Sequence, residues 1–252
     1  MDKIALFKLQ LGVMHELTTG DKMAFDKLPN QRELAQRVRT VIERLRHDGS
    51  VVSNLDGSRH DIRRIAITSG EGEALSKWVL REQATRTIEI GLAYGVSALH
   101  ICEGLRQAGK PHPAHVVIDP FQADSFANCG LQVLEEAGVK SLIEHHSELS
   151  QIALPALLKQ ERQFDVGFVD GNHRFDSVFL DLFYLGRLVR KNGIVILDDY
   201  DLPGIKRAVS FYVTNLGWTI EETSPPDDAH TWVVLRTAQT EDTRDFRYFV
   251  EF

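Results

Sequence analysis

The residues able to do chemistry in this chain sit in four short stretches, each just after a run of β-forming residues. The first is Glu89-Ile90-Gly91-Leu92-Ala93-Tyr94-Gly95-Val96-Ser97. Gly91 and Gly95 bracket a tight turn, and glycine lets backbone approach a ligand without a Cβ clash. The stretch departs from the dinucleotide fingerprint G-x-G-x-x-G, because Ala93 fills its second glycine slot. A plain strand-to-helix turn is the alternative reading. The second stretch is Val117-Ile118-Asp119-Pro120. An acid ending the second strand lies beside the first loop, where its carboxylate can accept hydrogen bonds from both hydroxyls of a ribose. Capping the next helix is the alternative. Turn and acid together indicate a nucleoside-containing cofactor.

The third and fourth stretches are Val169-Asp170-Gly171-Asn172-His173 and Leu197-Asp198-Asp199. If their strands are neighbours, three carboxylates converge and repel one another. A hard divalent cation with oxygen ligands, such as Mg²⁺, relieves that repulsion. Asp170, Asp198 and Asp199 are then the expected metal ligands, unless Asp198 or Asp199 merely caps a turn. His173, three residues after Asp170, is the candidate general base.

These stretches require a scaffold that brings strand ends together. β-rich runs at Arg86–Ile90, His115–Ile118, Lys140–Ile143, Phe164–Val169 and Ile194–Leu197 alternate with helical patterns near Ser97–Gln107, Phe126–Ala137, Ser150–Lys159 and Ser177–Arg190. Such alternation predicts an α/β fold with a doubly wound, mostly parallel sheet. Ligands in such sheets bind beyond the carboxyl ends of the strands. Pro203 opens a further helix. Trp218–Glu221 and Thr231–Leu235 can pair as antiparallel strands. The alternating tail Phe246, Tyr248, Val250, Phe252 reads as a packed edge strand or a subunit contact.

The chain before residue 68 has a different character. Leu34, Val38, Val41, Ile42 and Leu45 form one apolar helical face over Gln31–His47. Arg32, Arg37, Arg39, Arg44 and Arg46 line the other, as a solvated face or as a lid over an anionic substrate. Gly49–Gly57 reads as a loop. Thr68 with Glu71 fits a capping box that opens a helix. The expected division is an N-terminal helical extension, 1–67, and a cofactor-binding and catalytic domain, 68–252.

Taken together, the turn Glu89-x-Gly91-x-x-x-Gly95-x-Ser97, the end Ile118-Asp119, the loop Asp170-Gly171-x-His173 and the pair Asp198-Asp199 resemble class I S-adenosylmethionine-dependent O-methyltransferases. They are most similar to the metal-dependent group, which includes catechol and macrolide-sugar or rhamnosyl enzymes. The resemblance spans about Thr68–Gly217. It implies a Rossmann-like fold, S-adenosyl-L-methionine as methyl donor, and methyl transfer to a hydroxyl of a small molecule. It also implies cofactor contacts from Glu89, Gly91, Tyr94, Gly95, Ser97, Asp119, Pro120, Ser147 and Asp170. Within that set Ser147 lies near the adenine, and Glu89 positions the cofactor's amino group or the loop itself. His145 and His146, beside Ser147, are expected to be solvated. Asp198-Asp199 departs from the sugar branch, which often has glutamate first, and from the catechol branch, which has asparagine second.

Composition narrows the partners. The 252 residues carry 36 acidic and 29 basic side chains, a formal net charge of -7. That balance argues against nucleic acid as a partner. The two cysteines, Cys102 and Cys129, exclude a disulfide scaffold and read as small buried residues. No stretch reaches the ~18 apolar residues of a membrane span. The apolar run Ile4-Ala5-Leu6-Phe7 stops at Lys8, unlike a signal peptide. A cytoplasmic protein is the expectation, with self-association left open. Three other readings compete. An NAD-dependent oxidoreductase has no use for three carboxylates. A metal-dependent phosphoesterase needs an upstream Asp-x-His, whereas Asp228-x-His230 comes late. A non-catalytic adenosine-binding module predicts cofactor binding without a metal effect.

Overall fold

The computed structural model describes residues 31–228 and 230–252. The first element, α1 (Gln31–Asp48), follows the apolar spacing read from the sequence, and its Leu34, Val38, Val41, Ile42 and Leu45 are all buried. Three of its arginines grip the helices beneath it. Arg39 pairs with Glu103 at 2.6 Å, Arg44 pairs with Glu136 at 2.8 Å, and the Arg37 Nε donates to the Glu136 carbonyl. Through these three side chains the face works as a clamp. The segment read as a loop, Gly49–Gly57, holds a short strand, β1 (Ser50–Val52), which pairs with β2 (Arg59–Asp61) beyond it as a small hairpin. Three-residue strands are too short to show a period.

The hairpin leads into α2 (Ser69–Arg81), capped by the Thr68 hydroxyl, which accepts from the Glu71 amide at 3.3 Å. Then come β3 (Arg86–Ile90), α3 (Val96–Ala108), β4 (Ala114–Ile118), α4 (Cys129–Glu136), β5 (Ile143–His146), α5 (Ser150–Lys159), β6 (Phe164–Val169), α6 (Phe175–Leu188), β7 (Val189–Leu197), α7 (Pro203–Leu216), β8 (Thr219–Thr223) and β9 (Val233–Arg236). The strands form one sheet in the order β5-β4-β3-β6-β7-β9-β8, parallel except for β9, which runs against both of its neighbours. The order reverses beside β3, which makes its C-terminal end the switch point where ligands bind in such sheets.

Strand side chains alternate between two cores, as a period of two requires. Val117, Val166, Phe168, Ile194 and Ile196 pack toward α1, α2, α3 and α4. Val116, Ile118, Val169, Val195 and Leu197 pack toward α5, α6 and α7. Because α1 and the hairpin share the first core, Leu34–Phe252 is one compact unit and packing does not change at residue 67. The rest of the expected extension, including the apolar run at residues 4–7, lies outside the described residues.

Two predicted strands differ. Lys140–Leu142 is a 3-10 turn, and β5 begins only at Ile143. Gly138, at φ 76, ends the preceding helix and delays the strand. The tail is not an edge strand. The Asp242 and Asp245 carboxylates accept from the amides of Arg244 and Arg247, which bends the run into turns. Asn215 then clasps both backbone groups of Val250, and Phe252 packs on Phe211 with ring centroids 5.0 Å apart. Both cysteines are free and buried, as expected. No helix among the described residues is long and apolar enough to cross a membrane.

Candidate active site

Strand register sets up the site. His146, Ile118, Ile90, Val169, Leu197 and Val233 form one row across the sheet. The next residue after each parallel strand stays on the ladder. The amides of Asp119, Gly91, Asp170 and Asp198 donate to the carbonyls of His146, Ile118, Ile90 and Val169 at 2.9–3.1 Å. Asp119, Gly91, Asp170 and Asp198 therefore stand side by side along one edge.

The glycine turn is held from below. Gly91 and Gly95 have φ 93 and 79, a region side chains disfavour. A Cβ on Gly91 would meet the Asp170 carbonyl oxygen at 2.0 Å, so the two loops touch through backbone. Asp119 is 3% exposed. Its Oδ2 accepts from the amides of Leu92 (3.1 Å) and Ala93 (3.0 Å) and from Gln122 Nε2 (2.8 Å), and its Oδ1 from the Phe121 amide (2.8 Å). The acid thus anchors the turn itself. Ala93 needs that anchor, since its φ of 44 is unusual for a non-glycine residue. Gln122, which sequence reading missed, also donates to the Ala93 carbonyl at 2.8 Å.

Glu89 lies one layer deeper. It is fully buried, accepts from the Ser97 hydroxyl, and meets His115 Nε2 at 3.0 Å. Its contacts tie β3 to the first turn of α3 and to β4. Tyr94 is 6% exposed and packs edge-on against Phe126, with centroids 5.2 Å apart. Pro120 is partly exposed and Ser147 exposed, both beyond the ends of their strands. His145 and His146 are half-buried and engaged rather than solvated. His145 Nε2 donates to the Asp119 carbonyl at 2.9 Å, and His146 meets Glu144 at 3.0 Å. Both lie within β5, where the sheet covers them.

The acidic loops converge as expected, with His173 between two of the acids. Its Nε2 is hydrogen-bonded to Asp170 Oδ1 at 3.3 Å, and its Nδ1 lies 2.9 Å from Asp199 Oδ2. The Asp170 bond and the charges of Asp170, Asp199 and Asp198 raise the His173 pKa against the opposing effect of burial. Burial raises both Asp170 and Asp198 above the usual carboxylate range; His173 pulls Asp170 back down, while the charge of Asp170 pushes Asp198 further up. Asp198 is 5% exposed, and its Oδ1 accepts from the Asp199 amide at 2.7 Å. That bond is the local turn the sequence left open as an alternative. Asp199 has φ 52, a conformation aspartate tolerates better than most residues.

Two further residues complete the cluster. Glu71, read from sequence as half of a capping box, turns its carboxylate inward and is fully buried. Burial, then the charges of Asp198 and Asp170, push its pKa up to about 10. His230 comes from the loop before β9. One ligand atom each from Glu71, Asp198 and His230 lies within 4.8 Å of the other two. The available signal was Glu71 between Gly70 and Gly72, two residues that let neighbours crowd a helix start. A Cβ on Gly72 would meet the His100 ring at 2.4 Å.

Residues 88–200 match a family model described as a methyltransferase domain. The fold is similar to that of the O-methyltransferase TomG from Streptomyces achromogenes, involved in tomaymycin synthesis and solved with SAM. The TM-score is 0.61 at 20% identity, over 80% of this chain and 89% of that one. An O-methyltransferase from Bacillus cereus, solved with SAH, matches at TM-score 0.61 and 15% identity, over 87% and 97% of the two chains. The SAH-bound methyltransferase PaMTH1 of Podospora anserina matches at 0.59 and 15%, over 90% and 99%. The match to a methyltransferase domain runs from β3 to the loop after β7, the part of the sheet that carries the glycine turn and the acidic loops, and the seven-stranded fold around it is similar to that of these solved methyltransferases.

Proposed function

We propose that this enzyme transfers a methyl group from S-adenosylmethionine to a hydroxyl oxygen of a small molecule, with a divalent cation at the acidic cluster assisting. The observation that carries the reading is the Asp170–His173–Asp199 arrangement, a base held by two carboxylates and touching the glycine turn through the Asp170 backbone. The O-methyltransferase names of the similar structures agree with an oxygen acceptor.

The turn fits the methyl donor. Gly91 and Gly95 carry no Cβ where backbone closes in, and Asp119 fixes the loop beside the strand end. When bound, S-adenosylmethionine supplies an electrophilic methyl group. The chain must then hold an acceptor oxygen in line with that methyl at ~3 Å, and remove its proton. Neutral His173 would donate one ring N–H to Asp170 or Asp199, and its other ring nitrogen would take the proton. Asp199 beside Nδ1 stabilises the imidazolium that results. The cluster also fits a divalent cation, because Glu71 places two unpartnered buried oxygens beside Asp198. Asp198 would hold such an ion together with neighbouring donors. Asp170 and Asp199, the other two ligands expected from sequence, stand at the same edge. The ion would lower the pKa of an acceptor hydroxyl.

The test is calorimetry with S-adenosylmethionine, followed by a screen of sugars and phenols with S-adenosylhomocysteine release as readout. Donor binding and transfer to a hydroxyl, lost by ~100-fold or more in His173→Ala, is the expected result. Tight binding of NAD with none of S-adenosylmethionine overturns the reading.

A further inference from the structure

Glu71 and Asp198 face each other deep in the cluster without a donor between them. Glu71 is fully buried, and neither of its oxygens has a hydrogen-bond partner. The Nδ1 of His230 is likewise buried and unpartnered. Three groups on three separate segments, the first turn of α2, the end of β7 and the loop before β9, thus bring one ligand atom each within 4.8 Å of the others. A buried carboxylate needs a positive partner or a proton. Asp170 and Asp199 already have one in the His173 ring. Among the described residues, Glu71 has neither a cation nor a donor from another residue beside it.

The chain is shaped to bring these groups together. Gly70 and Gly72 flank Glu71. A Cβ on Gly70 would lie 3.1 Å from Asp228 Oδ2, so Asp228 sits directly against the start of α2. His230 itself is partly exposed, which gives an ion a way in.

We propose that Glu71, Asp198 and His230 hold a divalent metal ion, and that Glu71 and His230 are its ligands in addition to the aspartates expected from sequence. Two carboxylates with one imidazole suit a first-row ion such as Mn²⁺ or Zn²⁺ better than Mg²⁺, which favours oxygen and retained water. The ion would tie α2 to the sheet edge beside Asp170. The inference deepens the proposed metal assistance and rests on that reading for the ion's role in transfer. The existence of the site is tested apart from it.

The experiment strips the full-length protein with EDTA, dialyses it, and titrates it with Mn²⁺ alone by equilibrium dialysis. One ion per chain is expected. Glu71→Gln and His230→Gln should each weaken binding at least ~10-fold, the lower end of what is lost when a group that merely supports a ligand is removed. In the Co²⁺ form, a paramagnetically shifted imidazole proton should appear in the NMR spectrum of the wild type and vanish in His230→Gln. Circular dichroism of each variant shows that it is folded, and the wild-type stoichiometry and shifted resonance stand even if a variant is not. Absence of Mn²⁺ binding by the wild type overturns the proposal, since Glu71 and Asp198 then share a proton. So does binding that is lost in Asp170→Asn or Asp199→Asn but kept in Glu71→Gln and His230→Gln. S-adenosylmethionine affinity measured on the same samples separates these failures from failure of the methyl-transfer reading.

Discussion

Gly91 lies against the backbone of Asp170 so closely that a Cβ there would stand 2.0 Å from the Asp170 carbonyl oxygen. The turn proposed to receive the methyl donor and the loop proposed to carry the base thus meet backbone to backbone. Gly91→Ala must displace backbone and also adopt φ 93. We expect it to destabilise the protein by more than the ~1–3 kcal/mol of a strained backbone alone and to abolish donor binding. Gly95→Ala meets the Gly130 carbonyl at 3.0 Å with φ 79 and should be milder. Thermal unfolding and calorimetry check both. Wild-type donor affinity in Gly91→Ala would show that the junction is not needed.

Asp119 gives a sharper test, because its carboxylate accepts four hydrogen bonds from the turn and its surroundings. Asp119→Asn sets an amide donor against amide donors. Each lost bond to a charged acceptor is worth ~1.5–3 kcal/mol, so donor affinity should fall by ~10-fold or more and thermal stability with it. An acid that serves only a ribose would lose affinity and leave the melting temperature unchanged. Measuring both quantities on one variant decides between the two roles.

What the sequence made legible followed from period. Val166 and Phe168 alternate with Val169 across two cores, and Leu34, Val38 and Leu45 repeat at helical spacing, so strands and helices were readable. The row that aligns Gly91, Asp119, Asp170 and Asp198 followed from a parallel sheet, in which residues after strands share an edge. Glu71 and His230 were not legible. They reach the cluster only through tertiary packing of α2 and of the loop before β9; the glycines on either side of Glu71 hint at close approach there, and nothing in the local spacing marks His230. Glu71 also satisfies a local rule, the capping box, which masked its real direction. The tail misled because Phe246, Tyr248, Val250 and Phe252 alternate while Asp242 and Asp245 bend the backbone.

The pH dependence of transfer should report His173. Asp170, through its hydrogen bond, raises the His173 pKa above the ordinary histidine value, and Asp199 and Asp198 add to the effect. A base works only when unprotonated, so kcat/KM should rise with pH through a pKa above ~6.5. Asp170→Asn removes the largest cause. Its acid limb should move to lower pH, with a lower plateau because the ring is no longer oriented. Asp199→Asn should move the limb in the same direction by less. A limb that stays in place in both variants would assign the titration to another group.

Asp181 offers a stability prediction remote from this chemistry. It lies on α6 at 1% exposure, and its Oδ1 has no partner. Burial raises its pKa from 3.8 to about 6 against a smaller opposing pull from Ser150. The folded state thus holds this proton more tightly than the unfolded chain. The contribution to stability is fully present below the unfolded pKa and is lost as pH rises through about 6. A rise of that size corresponds to ~3 kcal/mol. Asp181→Asn keeps the shape and cannot ionise. Urea unfolding should therefore show the variant gaining on the wild type between about pH 4 and pH 7.5, by up to ~3 kcal/mol. A difference that is constant over that interval would mean that Asp181 is ionised in the folded protein and has found a partner.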